Sequence, residues 1–275
     1  MSEQLVSEHY EKGGLFDRIL RGLEAIGKDT ENLSVGDLAA VDEFHIRGRE
    51  STVELAERAG LSSGMKVLDV GCGIGGSARF LASEYGARVS GIDLTPEFVN
   101  VGRQLNDLIG VGDDIDLQVA SALELPFESG AFDLVWTEHV QMNIEDKRGF
   151  YGELGRVLKP GGKFVFHDIF AGWGGEVEFP VPWAGDGSIS FLVEGGAVRE
   201  LLLEMGFEVL AWLDKTAESS EWFLAMLRRI DERGMSPLGL HLVLGPDARE
   251  KFGKLQRNLG ENRIQVVQAV FTKLS

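Results

Sequence analysis

The chain has 275 residues, 44% of them apolar and 26% charged, a balance that suits a soluble globular protein with a sizeable core. Its formal charge is −17 and no basic run interrupts the acidic sequence, which argues against nucleic acid as a partner. The single cysteine, Cys72, excludes an intramolecular disulfide, a cysteine-built metal site and a three-cysteine iron–sulfur cluster.

The first residues, Met1 to His9, are polar and acidic, without an apolar signal core, and no apolar run reaches membrane length. The expectation is a cytoplasmic protein with no membrane partner. Leu15, Ile19, Leu20, Leu23 and Ile26 fall at helical spacing and predict one amphipathic helix; a second spans Val53 to Ala59. Residues 1–60 therefore read as a helical cap, closing over a ligand or simply covering an edge of the core. From Lys66 the pattern alternates. Strands are expected at 67–71, 88–93, 115–119, 132–137 and 162–170, and helices at 76–85, 96–109 and, after Asp146, to Val157. This predicts an α/β fold with a mostly parallel sheet and helices on both faces, binding its ligand at the carboxyl ends of the strands.

Ala171 to Val193 breaks the rhythm. It is rich in glycine and proline, carries Trp173 and Trp183, and is too long for an ordinary connection, so it reads as a substrate lid. A helix at 194–205 and a strand at 207–213 resume the core. Residues 216–261 look like a helical insertion with Trp222, Phe223, Met226 and Leu227 on one face, and Arg263 to Phe271 is the last strand. The division expected is one domain over 1–275, with the cofactor core at 61–170, the lid at 171–193 and a C-terminal part at 194–275.

The most informative stretch is Val67-Leu-Asp-Val-Gly-Cys-Gly-Ile-Gly-Gly-Ser-Ala-Arg-Phe-Leu-Ala82, a strand, a glycine turn and a helix. Glycines there allow positive φ and let a ligand lie against the backbone at a helix N-terminus. Gly71-x-Gly73-x-x-Gly76 alone also fits a dinucleotide fingerprint. Its neighbours narrow the choice: Asp69 inside the strand, Asp93 ending the next one, then Phe132-Asp-Leu-Val-Trp136 and Leu158-Lys-Pro-Gly-Gly162. Together these residues resemble the class I S-adenosylmethionine-dependent methyltransferases, over at least Val67 to Phe170. Within them the chain is similar to the small-molecule branch of sarcosine/dimethylglycine, tocopherol and ubiquinone-type enzymes.

That resemblance implies a Rossmann-like, doubly wound, seven-stranded sheet with an antiparallel last strand, and S-adenosylmethionine as cofactor. Asp69, Gly71, Gly73 and Gly75 would hold its methionine portion, Asp93 its ribose, and Leu94 would flank the adenine. Val119 to Phe127 resembles the adenine-contacting stretch; many members have an aspartate where this chain has Ser121, leaving the backbones of Ala122 and Leu123. His45, Gly48 and Arg49 are candidate contacts to the methionine carboxylate. Glu138 and His139 end the fourth strand, where this fold exposes catalytic groups, and Glu138 is also a candidate cofactor contact. His139 reads as a general base or as a hydrogen-bonded spacer, and His167 as a second base or a core histidine. Met142, Asn143, Phe170 and Trp183 are candidates for the substrate side, Trp183 as an aromatic wall or a packing anchor. No metal site is expected.

The Asn/Asp-Pro-Pro-aromatic signature of base and amide methylation is absent after the fourth strand, where the chain reads Thr137-Glu-His-Val-Gln-Met-Asn143. The first expectation is methyl transfer to a nitrogen, or an oxygen, of a small metabolite by a monomer or homodimer, leaning to nitrogen. Glu138-His139-Val140 is also similar to cyclopropane-forming enzymes, which makes carbon transfer to a lipid or quinone-like acceptor the alternative. An NAD-dependent dehydrogenase stands third, since no Tyr-x-x-x-Lys follows Tyr151.

Overall fold

A computed structural model describes residues 2–274; Met1 and Ser275 lie outside the described residues. Among those residues seven strands form one sheet: β1 Lys66–Val70, β2 Arg88–Asp93, β3 Ile115–Val119, β4 Phe132–Glu138, β5 Leu158–Ala171, β6 Phe207–Asp214 and β7 Ile264–Lys273. Their order is β3-β2-β1-β4-β5-β7-β6, with β7 antiparallel to both neighbours and the other pairs parallel. The fold and topology expected from the sequence are therefore present. Several boundaries move by one or two residues, and the largest shift in the sheet is at β5, which begins at Leu158: the Pro160-Gly161-Gly162 turn lies within it, beside a shift of register against β4 between Phe132 and Leu134.

Strand alternation divides the core. Val67, Leu134 and Val165 face the helices α4 (Arg49–Ala59), α5 (Gly76–Tyr85) and α6 (Pro96–Ile109). Leu68, Val135 and Phe166 face α7 (Lys147–Val157) and α8 (Gly195–Glu204). Neighbouring residues point to opposite faces of a strand, so each apolar run fills both layers. The helices stop where expected: Thr95 caps α6 with Pro96 in its first turn, and Gly86 and Gly110 end α5 and α6 in the left-handed conformation.

Four helices precede the sheet: α1 (Ser2–Tyr10), α2 (Leu15–Ala25), α3 (Val35–Asp42) and α4. The sequence reading found α2 and the second half of α4 but neither α1 nor α3. The C-terminal insertion consists of α9 (Thr216–Arg233), the short α10 (His241–Leu244) and α11 (Ala248–Gly260). Phe223 of α9 is buried against Phe252 and Leu255 of α11, with Trp222, Met226 and Leu227 beside it. No helix among the described residues is long and apolar enough to cross a membrane.

Candidate active site

At the carboxyl ends of β1, β2 and β4 lies a cavity roofed by α1, by residues 41–45 and by residues 182–183. The strands that meet there diverge at the switch between β1 and β4, which leaves the crevice that this sheet order creates. Asp69, Gly71, Gly73, Asp93 and Leu94 line one end of it, with Ala122 opposite. Glu138, His139 and His45 stand in the middle, and Met142, Asn143 and Trp183 at the other end. Twelve of the side chains and turns picked from the sequence thus share one cavity.

The glycines have different tasks. A Cβ on Gly71 would run into Val140, and one on Gly75 would sit 2.9 Å from Leu117, so both are needed for packing. Gly73, at φ +54°, has nothing within 4 Å of where its Cβ would be. It is the backbone cradle of the turn, facing open cavity.

Carboxylates crowd this end. Both Asp93 oxygens accept backbone N–H groups, from Gly73 at 2.9 Å and Thr95 at 2.8 Å, which orients the side chain. Asp69 is buried, and its Oδ2 has no partner. Burial, and then the charges of Glu138 and Asp93, raise its pKa well above the usual carboxylate value. Among the described residues no lysine or arginine lines the cavity. A cationic ligand would relieve this repulsion and satisfy the orphaned oxygen. S-adenosylmethionine carries an ammonium and a sulfonium against one carboxylate, a net cation, so these residues fit that cofactor. Asp69 would meet its ammonium, Gly73 the methionine chain, and Asp93 the ribose.

Glu138 is held rigidly. Its Oε2 accepts from Ser77 Oγ at 2.5 Å and Trp136 Nε1 at 2.9 Å; its Oε1 accepts from Thr52 Oγ1 at 3.3 Å and lies 3.2 Å from His45 Nε2. His139 adopts φ +53°, an uncommon conformation for a residue with a side chain. Asp168 stabilises the turn after it, accepting from the N–H groups of Val140 and Gln141 at 3.2 and 3.1 Å. The His139 ring stacks on His167 at 5.3 Å, and its Nε2 is buried without a partner. Burial, then His167 and His45, hold the imidazole well below its ordinary value. It is neutral at physiological pH, unlike the histidine titrating near 6.5 that a base role would prefer. Although three histidines converge, no group of three His, Cys, Asp or Glu side chains among the described residues could hold a metal ion.

Seven sequence candidates lie outside the cavity lining. Gly48 stands at the N-cap of α4, where a Cβ would sit 3.4 Å from Glu43. Arg49 pairs with Glu43 and stacks 4.1 Å over the Phe80 ring, so its charge is already engaged away from the cofactor end. His167 sits behind His139, with Nε2 2.9 Å from the Ile46 carbonyl, and burial lowers its pKa to about 3. Phe170 packs into the core under Trp212; the neighbouring Ile169 is the residue that faces the cavity. Gly75 packs inward, and Ser121 and Leu123 stand behind the wall that Ala120 and Ala122 present. Ser121 Oγ accepts from Leu123 N at 3.0 Å and donates to Glu3. Of the supposed lid, Trp173 is 71% exposed, whereas Val181, Trp183 and Ile189 are buried in an apolar cluster. Asn143 Nδ2 donates to the Trp183 and Ile189 carbonyls at 3.0 and 2.8 Å, making this part of the segment a packed wall.

Residues missed from the sequence complete the roof. Glu3, Val6 and Tyr10 come from α1, Phe44 from the turn after α3, and Leu255 from α11. Tyr10 donates its hydroxyl to Asn143 Oδ1 at 3.1 Å. Only α3 had a readable signal, the Ser34–Asp37 capping box.

Residues 68–166 match a family model described as a methyltransferase domain. Over 100 residues the chain is 46% identical to a chloroplastic tocopherol O-methyltransferase of Arabidopsis thaliana, covering 36% of this chain and 29% of that one. Over 167 residues it is 30% identical to a sarcosine/dimethylglycine N-methyltransferase of Halorhodospira halochloris, covering 61% and 60%. The fold matches phosphoethanolamine N-methyltransferase 2 of Haemonchus contortus, in complex with phosphomonomethylethanolamine and S-adenosylhomocysteine. The TM-score is 0.75 at 20% identity, over 94% of this chain and 58% of that one. The curated relatives include N-, O- and C-methyltransferases, and the matches span 24% to 60% of their lengths.

Proposed function

We propose, from the premise that residues 68–166 are a class I S-adenosylmethionine-dependent methyltransferase domain, that this protein methylates a nitrogen or oxygen of a small molecule bearing no anionic group. The cofactor is S-adenosylmethionine, which supplies a methyl already activated by its sulfonium. What remains for the chain is to bind, to orient and to keep water out. Asp69, Gly73 and Asp93 bind the cofactor end. Val6, Phe44, Met142, Ile169, Trp183 and Leu255 give the acceptor end apolar walls. Neutral His139, with Nε2 unengaged, receives the hydrogen of the acceptor's N–H or O–H and thereby points its lone pair. With so low a proton affinity, His139 orients that hydrogen and does not store the proton: the bonding pair goes to the sulfur, leaving S-adenosylhomocysteine, and the methylated acceptor keeps the proton until it is released to solvent.

The observation that carries the reading is the charge of the cavity: acids at the cofactor end, apolar walls at the acceptor end, and no lining lysine or arginine among the described residues to hold a second anion, such as a phosphate, beyond the cofactor's own carboxylate. The same apolar walls suit a quinol methylated at carbon, which is the second reading. The test is a panel of acceptors incubated with methyl-labelled cofactor. Lipophilic amines and phenols are expected to accept the label, and phosphoethanolamine is expected not to. Preferred labelling of the phosphorylated acceptor would refute the proposal, and mass fragmentation of the product distinguishes N, O and C transfer.

A further inference from the structure

We propose that Glu3, on α1, recognises the exocyclic amine of the cofactor's nucleobase, so that a bound base strengthens the hold of α1 on the site. The inference rests on the reading of S-adenosylmethionine as the cofactor. Helix α1 has no buried residue of its own, yet it lines the cavity with Glu3, Val6 and Tyr10. It is fixed at its two ends to different parts of the site. Glu3 Oε1 accepts the hydroxyl of Ser121, just past β3, while His9 Nε2 lies 3.1 Å from the Pro182 carbonyl and Tyr10 reaches Asn143. After α1 the chain turns at Gly13 and Gly14, both at positive φ. There the N–H groups of Lys12, Gly13 and Leu15 converge on the Glu97 carboxylate at 2.9, 2.8 and 3.0 Å. Glu97 is in the first turn of α6, four residues after Asp93.

A ribose held by Asp93 puts its base against Leu94, Ala120 and Ala122. Glu3 borders that same end, and its Oε2 takes no hydrogen bond from another described residue. A further carboxylate beside Asp93 and Asp69 raises the repulsion in a cavity that holds no lining cation among the described residues. It becomes favourable when it meets a donor. Adenine offers one on its edge, the exocyclic amine; hypoxanthine, with a carbonyl there, offers none. Ser121 serves to aim the carboxylate, because its own side chain stands outside the lining.

The test is isothermal titration of the full chain with S-adenosylhomocysteine and S-inosylhomocysteine, for the wild type and for Glu3→Ala. Wild type should prefer the adenine ligand by about tenfold or more, the loss expected when a charged acceptor has no donor to meet. Glu3→Ala should bind the two ligands equally. Hydrogen exchange should show α1 protected by S-adenosylhomocysteine in the wild type and not in the variant. The mutated side chain is not in the core, so unchanged thermal unfolding is expected to show that the fold is intact. A preference for adenine that survives in Glu3→Ala overturns the assignment. A wild type that binds neither ligand refutes the cofactor reading itself, and this inference with it.

Discussion

Replacing Arg79 by leucine tests how the helical cap is fixed to the sheet domain. The Arg79 side chain is fully buried on α5, as is that of Asp42 at the end of α3. Its Nε and Nη2 donate to the two Asp42 oxygens at 3.1 and 2.5 Å, and its Nη1 donates to Asn106 Oδ1 at 2.9 Å. Burial raises the Asp42 pKa, and the Arg79 charge pulls it back down. Arg79→Leu leaves a buried carboxylate without its paired guanidinium, with only the charge of Arg49 acting on it, a loss of about 3–5 kcal/mol. For a chain of this size that lowers Tm by roughly 10 °C. The deficit has an upper limit, since Asp42 can take up a proton. It should therefore shrink as pH falls from 7 to 5, and Arg79→Leu combined with Asp42→Asn should recover part of it. Thermal unfolding followed by circular dichroism at both pH values measures these differences. A single variant within about 1 kcal/mol of wild type at pH 7 would refute the reasoning, because a loss that small is typical of a solvent-exposed pair.

Asp93→Ala should weaken S-adenosylhomocysteine binding by about 1–3 kcal/mol, read by titration calorimetry, through loss of a charged acceptor. Gly73→Val should abolish that binding while the protein stays folded, because the branched side chain would project into open cavity from a position at φ +54°; normal affinity would remove the glycine turn from the site. His167 shares the control of acid stability with His139, whose pKa burial also lowers. The His167 pKa is lowered from 6.5 to about 3 in the folded chain, so below pH 6.5 the unfolded state binds more protons and stability is lost as pH falls. Over that window the loss reaches about 5 kcal/mol. His167→Gln should reduce, but not abolish, the change in urea midpoint between pH 7 and 5, His139 supplying the rest, and an unchanged pH dependence would contradict the assignment.

The strand-end part of the cavity was legible because its signals are local. Asp69, Gly73 and Asp93 sit at strand ends set by strong apolar runs, and the sheet then brings those ends together. Phe170 was misplaced by a single residue: strand parity turns Ile169 to the cavity and Phe170 to the core, and the sequence carries no mark of which face is which. Arg49 looked available because a sequence does not show that Glu43 folds back onto it. Helix α1 was invisible for a deeper reason. Between Ser2 and Tyr10 there is no apolar stripe, and Leu5 is 43% exposed. What holds that helix is contact with Ser121, Asn143 and Pro182, more than a hundred residues away in the chain. The depressed pKa of His139 likewise comes from burial and from two distant histidines.

The most direct test of methyl transfer is to incubate the protein with methyl-labelled S-adenosylmethionine and a pooled extract of small metabolites, and to analyse the products by mass spectrometry. The account predicts labelled methyl on a non-phosphorylated small molecule, formation of S-adenosylhomocysteine in step with it, and neither with Gly73→Val. Label that stays wholly on the cofactor across extracts of differing composition, or that appears equally with Gly73→Val, would contradict it.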